Sequence, residues 1–176
     1  MAGLGARLVR GGAEFAVRAP KAAGVMLCLF DGETEARVEM TREGDVWRVR
    51  VPGVKAGQLY GYRAEGEWTP EKGLWFDPAK LLVDPYATAI DRPFRYDPLL
   101  GQYGAETDGL VPRGVVEKPL ADVKPASPVF AAGGLIYEIN VRGFTMRHPL
   151  VPPAQRGTIG ALAHPAVIAH LKKLGV

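Results

Sequence analysis

The sequence predicts a mainly β protein, in which an antiparallel β-sandwich is followed by a linker and by one βα unit. Three observations predict this class. Short runs of alternating apolar and polar residues recur roughly every ten residues between positions 14 and 64, a spacing typical of sandwiches. The 176 residues include 22 glycines and 15 prolines, which favours many turns. Residues 133–176 combine an apolar strand pattern with a helical one.

Five strand-like runs make up the predicted sandwich, which we place at residues 1–100. In several of them apolar residues alternate with charged ones, as expected for strands with one buried face. The second run is apolar throughout and ends at Asp31-Gly32, a strong hairpin signal. Pro52-Gly53 closes the fourth run. The five runs span residues 14–19, 25–30, 35–40, 46–51 and 60–64.

From residue 68 to about 129 the alternation is lost, and aspartates that precede proline punctuate the chain. The residue before proline avoids the helical region, and aspartate bonds its own downstream backbone, so such pairs predict turns. We therefore interpret four aspartates as turn residues and not as catalytic groups: Asp77, Asp84 and Asp97, which precede proline, and Asp91, which lies two residues before one. Four prolines between positions 112 and 128 predict a linker, which we place at residues 101–132.

The region 133–176 has the pattern of a strand, a loop and a helix. Residues 135–141 carry apolar side chains on both faces, as strands of covered parallel sheets do. His164-Pro165 opens a helix that Gly175 ends. A βα unit without a second parallel strand cannot bury its faces, so we expect a fragment of a larger α/β protein. Ile136, Ile139, Val141 and Leu171 would lack partners, and this segment should dock on another copy, swap, or be poorly ordered.

Composition and charge exclude several function classes. The net charge is +3, from 22 basic and 19 acidic residues that are interleaved, so no nucleic-acid partner is expected. No apolar stretch approaches the roughly 18 residues of a membrane span, and no secretory leader is visible, which makes a cytoplasmic location the expectation. The single cysteine, Cys28, lies in an apolar run and is expected in the core. The three histidines have no metal-ligand spacing, and we expect no metal and no cofactor.

Several segments, in the same order along the chain, resemble bacterial glycogen debranching enzymes of the isoamylase type, in glycoside hydrolase family 13. At residue 140 the chain has asparagine where that family commonly has histidine. The segments are Leu59-Tyr60-Gly61-Tyr62-Arg63, Phe76-Asp77-Pro78-Ala79-Lys80-Leu81-Leu82-Val83-Asp84-Pro85-Tyr86-Ala87, Ile136-Tyr137-Glu138, Val141-Arg142-Gly143-Phe144-Thr145, His148-Pro149, Arg156-Gly157-Thr158 and Leu162-Ala163-His164-Pro165-Ala166-Val167-Ile168.

The resemblance implies a fold and a function for each part of the chain. Residues 1–100 would be an immunoglobulin-like family 48 carbohydrate-binding module, and residues 133–176 would open the catalytic (β/α)8 barrel, here incomplete. The family hydrolyses α-1,6 branch linkages in glycogen or limit dextrins. Its catalytic carboxylates lie on later barrel strands, beyond Val176, so this chain alone should be inactive. The alternatives are a maltooligosyl trehalose trehalohydrolase, a branching enzyme of the same superfamily, or a non-catalytic module for glucan binding or docking.

Aromatic residues are the candidates for binding an α-glucan such as glycogen, limit dextrin or a maltooligosaccharide, since rings stack on sugar faces. Trp68 and Trp75 flank a loop rich in proline and glycine, and they are the predicted substrate-binding residues. Packing of this loop against a barrel is the alternative for both. Trp47 and Tyr60 alternate like core residues. Glu138 is interpreted as a buried acid paired with a neighbour such as Arg142, and a polar residue near the barrel mouth is the alternative.

Overall fold

The computed structural model describes residues 3–119 and 132–176. The chain divides into two compact units, Met1–Ala121 and Asp122–Val176. No helix in these described ranges is both long and apolar enough to cross a membrane.

The described residues of the first unit include ten β-strands. Eight of them form two four-stranded sheets, one in the order β1-β2-β6-β5 and the other in the order β10-β7-β3-β4, while β8 and β9 form a separate ribbon. Every pairing is antiparallel, which confirms the predicted class. The strands are β1 (Gly5–Val9), β2 (Gly12–Arg18), β3 (Gly24–Asp31), β4 (Thr34–Glu39), β5 (Thr41–Glu43), β6 (Val46–Pro52), β7 (Leu59–Glu65), β8 (Trp68–Thr69), β9 (Leu74–Trp75) and β10 (Gly114–Val115).

The core of this unit lies between the two sheets. Alternate residues of β2 and β6 face alternate residues of β3 and β7, as the period-two pattern predicts. Phe15 and Tyr60 meet edge to face, with ring centroids 5.1 Å apart. Trp47 is buried, and its indole N–H donates to the carbonyl of Ala19 at 3.0 Å, so its predicted core role is confirmed. Cys28 is buried as well, as predicted.

Residues 77–84 lie against the second sheet and bring the motif Asp77-Pro78-Ala79-Lys80 to its edge. The backbones of Tyr62 and Leu82 exchange two hydrogen bonds, of 2.9 and 2.7 Å. Gly61 makes this close approach feasible, because a Cβ there would lie only 2.8 Å from Leu81 Cδ1. The glycine therefore helps to fix where the following side chains stand.

The predicted linker over residues 101–132 is wrong for the part that is described. Gly114 and Val115 form β10, which pairs with β7, and Val116 is fully buried in the core. The prolines suggested a linker, but Pro112 is buried and Arg113 is only 1% exposed. The physical reason is that β7 offers a free edge, and residues 114–115 occupy it. Residues 120–131 of the predicted linker lie outside the described residues.

The second unit corrects the predicted strand over residues 135–141. Residues 134–140 have no regular structure, and a helix, α1 (Val141–Met146), begins where the strand should end. Asn140 caps it, since its Oδ1 accepts a hydrogen bond from the Gly143 N–H at 2.8 Å. A strand requires a neighbour for its backbone groups, and no strand occurs among the described residues of this unit.

The predicted helix is present as α2 (Pro165–Lys173). Proline occupies its first turn, and Gly175 follows its end with a φ of 82°, in the left-handed region that favours glycine. Val151, Ala161 and Val167 form a small core on which Leu171 packs, so the prediction that Leu171 would lack partners is wrong. Ile136, in contrast, is 77% exposed, in agreement with the prediction that it lacks packing partners in this chain.

Candidate functional site

The two tryptophans predicted from the sequence face each other across the β8–β9 ribbon. Trp68 and Trp75 are register partners, and their rings meet edge to face at a centroid distance of 5.3 Å. The connecting turn carries Pro70 at its start and Gly73, at a φ of 73°, at its end. Trp75 is 59% exposed, whereas Trp68 is half-buried. The structure therefore joins both predicted residues in one aromatic surface.

Tyr103 is a third member of this surface that the sequence analysis missed. Its ring packs on Trp68 at a centroid distance of 4.6 Å and a tilt of 54°, and 58% of the residue is exposed. No local pattern marks it, because it lies in a turn between glycines and far along the chain from Trp68. We call Trp68, Trp75 and Tyr103 the aromatic surface.

The loop that carries Tyr103 is held by two side chains from the Asp77-Pro78-Ala79-Lys80 motif. The Lys80 ammonium group donates hydrogen bonds to three carbonyl groups: those of Leu99 (3.1 Å), Ala105 (2.6 Å) and Gln102. Asp77 accepts the Gly104 N–H at 2.8 Å through Oδ2, which also lies 3.6 Å from the Lys80 nitrogen. Thr107 Oγ1 accepts the N–H of Leu81 at 3.0 Å.

A cleft of about 480 Å³ adjoins the aromatic surface. Its lining is largely apolar, with Trp75, Phe76 and Leu82 among its residues and Lys80 as a polar contributor. Ligand sites in proteins commonly fall in the range of about 300–1,000 Å³ and combine apolar walls with a few polar groups. Exposed ring faces beside such a cleft suit a ligand that alternates apolar faces with hydroxyl edges.

The aspartates of the Asp-Pro motifs are structural, as predicted. The side chains of Asp77, Asp84 and Asp97 each accept the backbone N–H two residues downstream, at 3.0, 2.8 and 2.9 Å. Asp84 is buried, and its Oδ2 also accepts hydrogen bonds from the hydroxyls of Tyr60 (2.8 Å) and Tyr62 (3.3 Å). These carboxylates therefore accept hydrogen bonds that stabilise turns and, in the case of Asp84, the core.

A second buried charge cluster lies on the outer side of β3 and β7. The guanidinium of Arg63, itself 3% exposed, forms a bidentate pair with Glu35 at 2.8 Å and a contact of 2.9 Å with Glu106. Burial raises the pKa of Glu35, but hydrogen bonds from Arg63 and Arg37 outweigh that effect and bring the pKa to about 2. A carboxyl with so low a pKa stays ionised at neutral pH and is unsuited to act as a general acid.

Glu138 differs from its prediction. We interpreted it as a buried acid paired with Arg142, but both residues are exposed, and no ion pair joins them in the described part of the chain. The prediction depended on the strand over 135–141, and it fails for the same reason as that strand.

Comparison with known proteins shows what the first unit is similar to. Residues 3–87 match the family described as Carbohydrate-binding module 48 (Isoamylase N-terminal domain). The chain is 42% identical to a glycogen debranching enzyme of Serratia proteamaculans (strain 568) and 41% identical to one of Enterobacter sp. (strain 638). Both alignments cover 98% of this chain but 28% of the relative, so the chain spans little more than a quarter of the length of these relatives.

Solved structures of pullulanases have a similar fold. Pullulanase from Anoxybacillus sp. LM18-11, complexed with maltotetraose, superposes with a TM-score of 0.68 at 26% identity, over 98% of this chain and 24% of that chain. Pullulanase type I from Bacillus subtilis str. 168, complexed with maltose, has the same fold, with a TM-score of 0.67 at 24% identity over 100% of this chain and 23% of that chain. Residues 3–87 are therefore similar to carbohydrate-binding module family 48, and the chain is similar over 98% of its length to part of a glycogen debranching enzyme.

Proposed function

We propose that this chain is the N-terminal region of a glycogen debranching enzyme that hydrolyses α-1,6-glucosidic branch linkages in glycogen or limit dextrins. The observation that carries the proposal is the 42% identity across 98% of the chain to a protein of that name. In this proposal the first unit is an immunoglobulin-like module, and the second unit supplies the opening of a (β/α)8 barrel. Residues 135–141 become its first strand when neighbouring strands satisfy their backbone groups.

The chemistry supports a role for this region that is not itself hydrolytic. Retaining glycosidases use two carboxyl groups about 5 Å apart, one of which is kept protonated as the acid. Asp77 and Asp84 are engaged in turns, and the low pKa of Glu35 excludes it as that acid. The proposal therefore places the reacting carboxylates in the part of the relatives that this chain does not cover, and the isolated chain should not cleave glycogen.

The region contributes substrate binding through its aromatic surface. Trp75 offers an exposed ring next to an apolar cleft, and sugar rings stack on such faces while their hydroxyls bond polar groups at the edges. The ligand in this proposal is an α-glucan: glycogen, a limit dextrin or a maltooligosaccharide.

The test of the debranching function uses the full-length protein that carries this region. It is incubated with glycogen, and the products are separated by chromatography. Release of linear maltooligosaccharides supports debranching. New branches indicate a branching enzyme and release of trehalose indicates a trehalohydrolase, and either product contradicts the proposal.

A second candidate is a glucan-binding module without a catalytic role, and the exposed ring of Trp75 favours it. Titration of the chain with maltoheptaose, followed by tryptophan fluorescence, addresses this function separately. Binding that is lost in Trp75→Ala and kept in Tyr96→Ala supports a module. Tyr96 is the matched control because it is 82% exposed and lies outside the aromatic surface. Absence of binding leaves the unit as a support for the barrel.

A further inference from the structure

Tyr103 lies in the loop of residues 97–106. Its position depends on how this loop is held, as well as on the packing of its ring on Trp68. Three backbone hydrogen bonds of this loop are local turns, from Leu100, Gln102 and Ala105 to the residues three before them. Such bonds shape the loop without attaching it to the sandwich. Several contacts attach it: the ion pair of Glu106 with Arg63 at 2.9 Å, the packing of Leu100 on a buried cluster, and the hydrogen bonds of Lys80 and Asp77. Of these, Lys80 and Asp77 bond the residues on either side of Tyr103.

Lys80 is suited to this attachment by its chemistry. An ammonium group has three N–H donors and no acceptor, and here three carbonyls converge on it, so its donors are satisfied by the loop. Its side chain is only 11% exposed, and the carboxylate of Asp77, 3.6 Å away, compensates its charge. Lys80 also lines the cleft next to Trp75.

We propose that Lys80 is a positioning residue that holds Tyr103 against Trp68 and thereby completes a three-ring surface for an α-glucan chain. The proposal rests on the glucan binding proposed above and adds Tyr103 as a contact residue. Trp68 is the central ring, since both Trp75 and Tyr103 pack against it. Lys80 acts through the loop, with its donors occupied by carbonyl groups.

The experiment measures the affinity of the chain for maltoheptaose in five variants and one control variant. Tyr103→Ala removes the ring, and Tyr103→Phe keeps it. Lys80→Met removes the ammonium group and keeps an apolar stem, and the fourth variant combines Lys80→Met with Tyr103→Ala. Tyr96→Ala is the control for loss of an exposed aromatic ring elsewhere in the unit. Circular dichroism and the melting temperature report whether each variant is folded.

We expect Tyr103→Ala and Lys80→Met each to weaken binding by about fivefold to tenfold, the loss typical of an aromatic contact residue. Tyr103→Phe and Tyr96→Ala should bind as the wild type does. The double variant should bind no more weakly than either single variant, because both changes remove the same ring from the surface. Lys80→Arg, which keeps the charge and the donors, should recover part of the affinity.

Three results would overturn the proposal. The first is a folded Lys80→Met variant with wild-type affinity, which would make Lys80 purely a stabilising residue. The second is wild-type affinity in Tyr103→Ala, which decides the matter even where Lys80→Met fails to fold. The third is the absence of maltoheptaose binding by the wild-type chain. The debranching proposal fails or stands separately, on the products that the full-length protein releases from glycogen.

Discussion

At the scale of single residues, the buried charges of the first unit are neutralised by partners from both near and distant parts of the chain. Arg113 shows this most clearly. Its guanidinium contacts Asp108 at 2.9 Å and Glu33 at 3.3 Å, and it lies 3.9 Å from the centroid of the Phe30 ring. A charge can be buried only when it is paired and hydrogen-bonded, so these partners explain how arginines at 63 and 113 stay inside.

The Arg63–Glu35 pair predicts a pH dependence of stability. The pKa of Glu35 is about 2 in the folded protein against an ordinary value of 4.5. A carboxyl whose pKa falls on folding stabilises the folded state above its unfolded pKa, and the stabilisation is lost as the pH drops through the folded pKa. The wild-type chain should therefore lose free energy of unfolding between pH 4.5 and about pH 2.

Glu35→Gln removes this dependence, and the measurement is urea unfolding at a series of pH values. The variant should be less stable at pH 7 by about 2 kcal/mol, because Arg63 keeps Glu106 but loses its bidentate partner. Its stability should also fall less steeply in acid. Glu71→Gln, at an exposed position, is the control and should follow the wild-type curve. If the unfolding free energy of Glu35→Gln fell with pH as steeply as that of the wild type, the lowered pKa of Glu35 would not be the cause of the pH dependence.

The hydroxyl pair on Asp84 predicts a difference between two similar substitutions. Tyr60→Phe removes a 2.8 Å hydrogen bond and Tyr62→Phe a 3.3 Å one, and both hydroxyls donate to the same buried oxygen. We expect Tyr60→Phe to cost about 1.5 kcal/mol of unfolding free energy and Tyr62→Phe to cost less. Thermal unfolding of both variants shows which one is less stable, and Tyr96→Phe at an exposed position is the control. A larger loss of stability in Tyr62→Phe than in Tyr60→Phe would contradict the prediction.

At the scale of elements, the sequence predicted strands by their own pattern, but it could not predict which segments add to their edges. β2, β3, β6 and β7 alternate or run apolar, and each lies within two residues of its predicted position. β10 is two residues long and carries no periodicity, so only its pairing with β7 makes it a strand. Residues 134–140 have the pattern of a strand but no partner, and they are irregular.

Gly114 controls whether β10 can pair. A Cβ at this position would lie 2.8 Å from Cε1 of the buried Tyr60 ring. Gly114→Ala should therefore force the two strands apart and cost about 2 kcal/mol, the size of a typical overpacking penalty. Hydrogen exchange should show faster exchange of the Val116 amide, which bonds to Gln58 at 2.9 Å.

Gly109→Ala is the matched control for this prediction. A Cβ at Gly109 meets no atom within 4 Å, so the substitution should leave stability and exchange near wild type. Equal effects of the two substitutions would mean that the contact with Tyr60 does not decide the position of β10.

At the scale of the whole molecule, the two units differ in how fully they bury apolar residues. The first unit has an extensive core between its sheets, whereas the second centres on three buried residues. Leu135, Ile136 and Val141 are 52%, 77% and 37% exposed. Contiguous exposed apolar residues commonly mark an interaction surface.

We therefore predict that the isolated chain self-associates through residues 135–141, by docking on another copy or by swapping. Sedimentation velocity should show a mass that increases with concentration, and Ile136→Glu should reduce that increase. Ile159→Glu is the control, since Ile159 is 79% exposed in the same unit but outside the segment. A monomer at every concentration, with Ile136, Ile139, Val141 and Leu171 all buried, would contradict the prediction.

The sequence by itself determined the antiparallel class, the turns at the Asp-Pro motifs and the helix after residue 164. Each of these depends on backbone preferences or periodicity within a few neighbouring residues, and such information is local. Only the tertiary structure decided that Tyr103 meets Trp68, that Arg113 and Val116 are buried, and that residues 134–140 do not form a strand. These outcomes depend on hydrogen-bond partners and packing contacts from segments far apart in the chain, which no local pattern specifies.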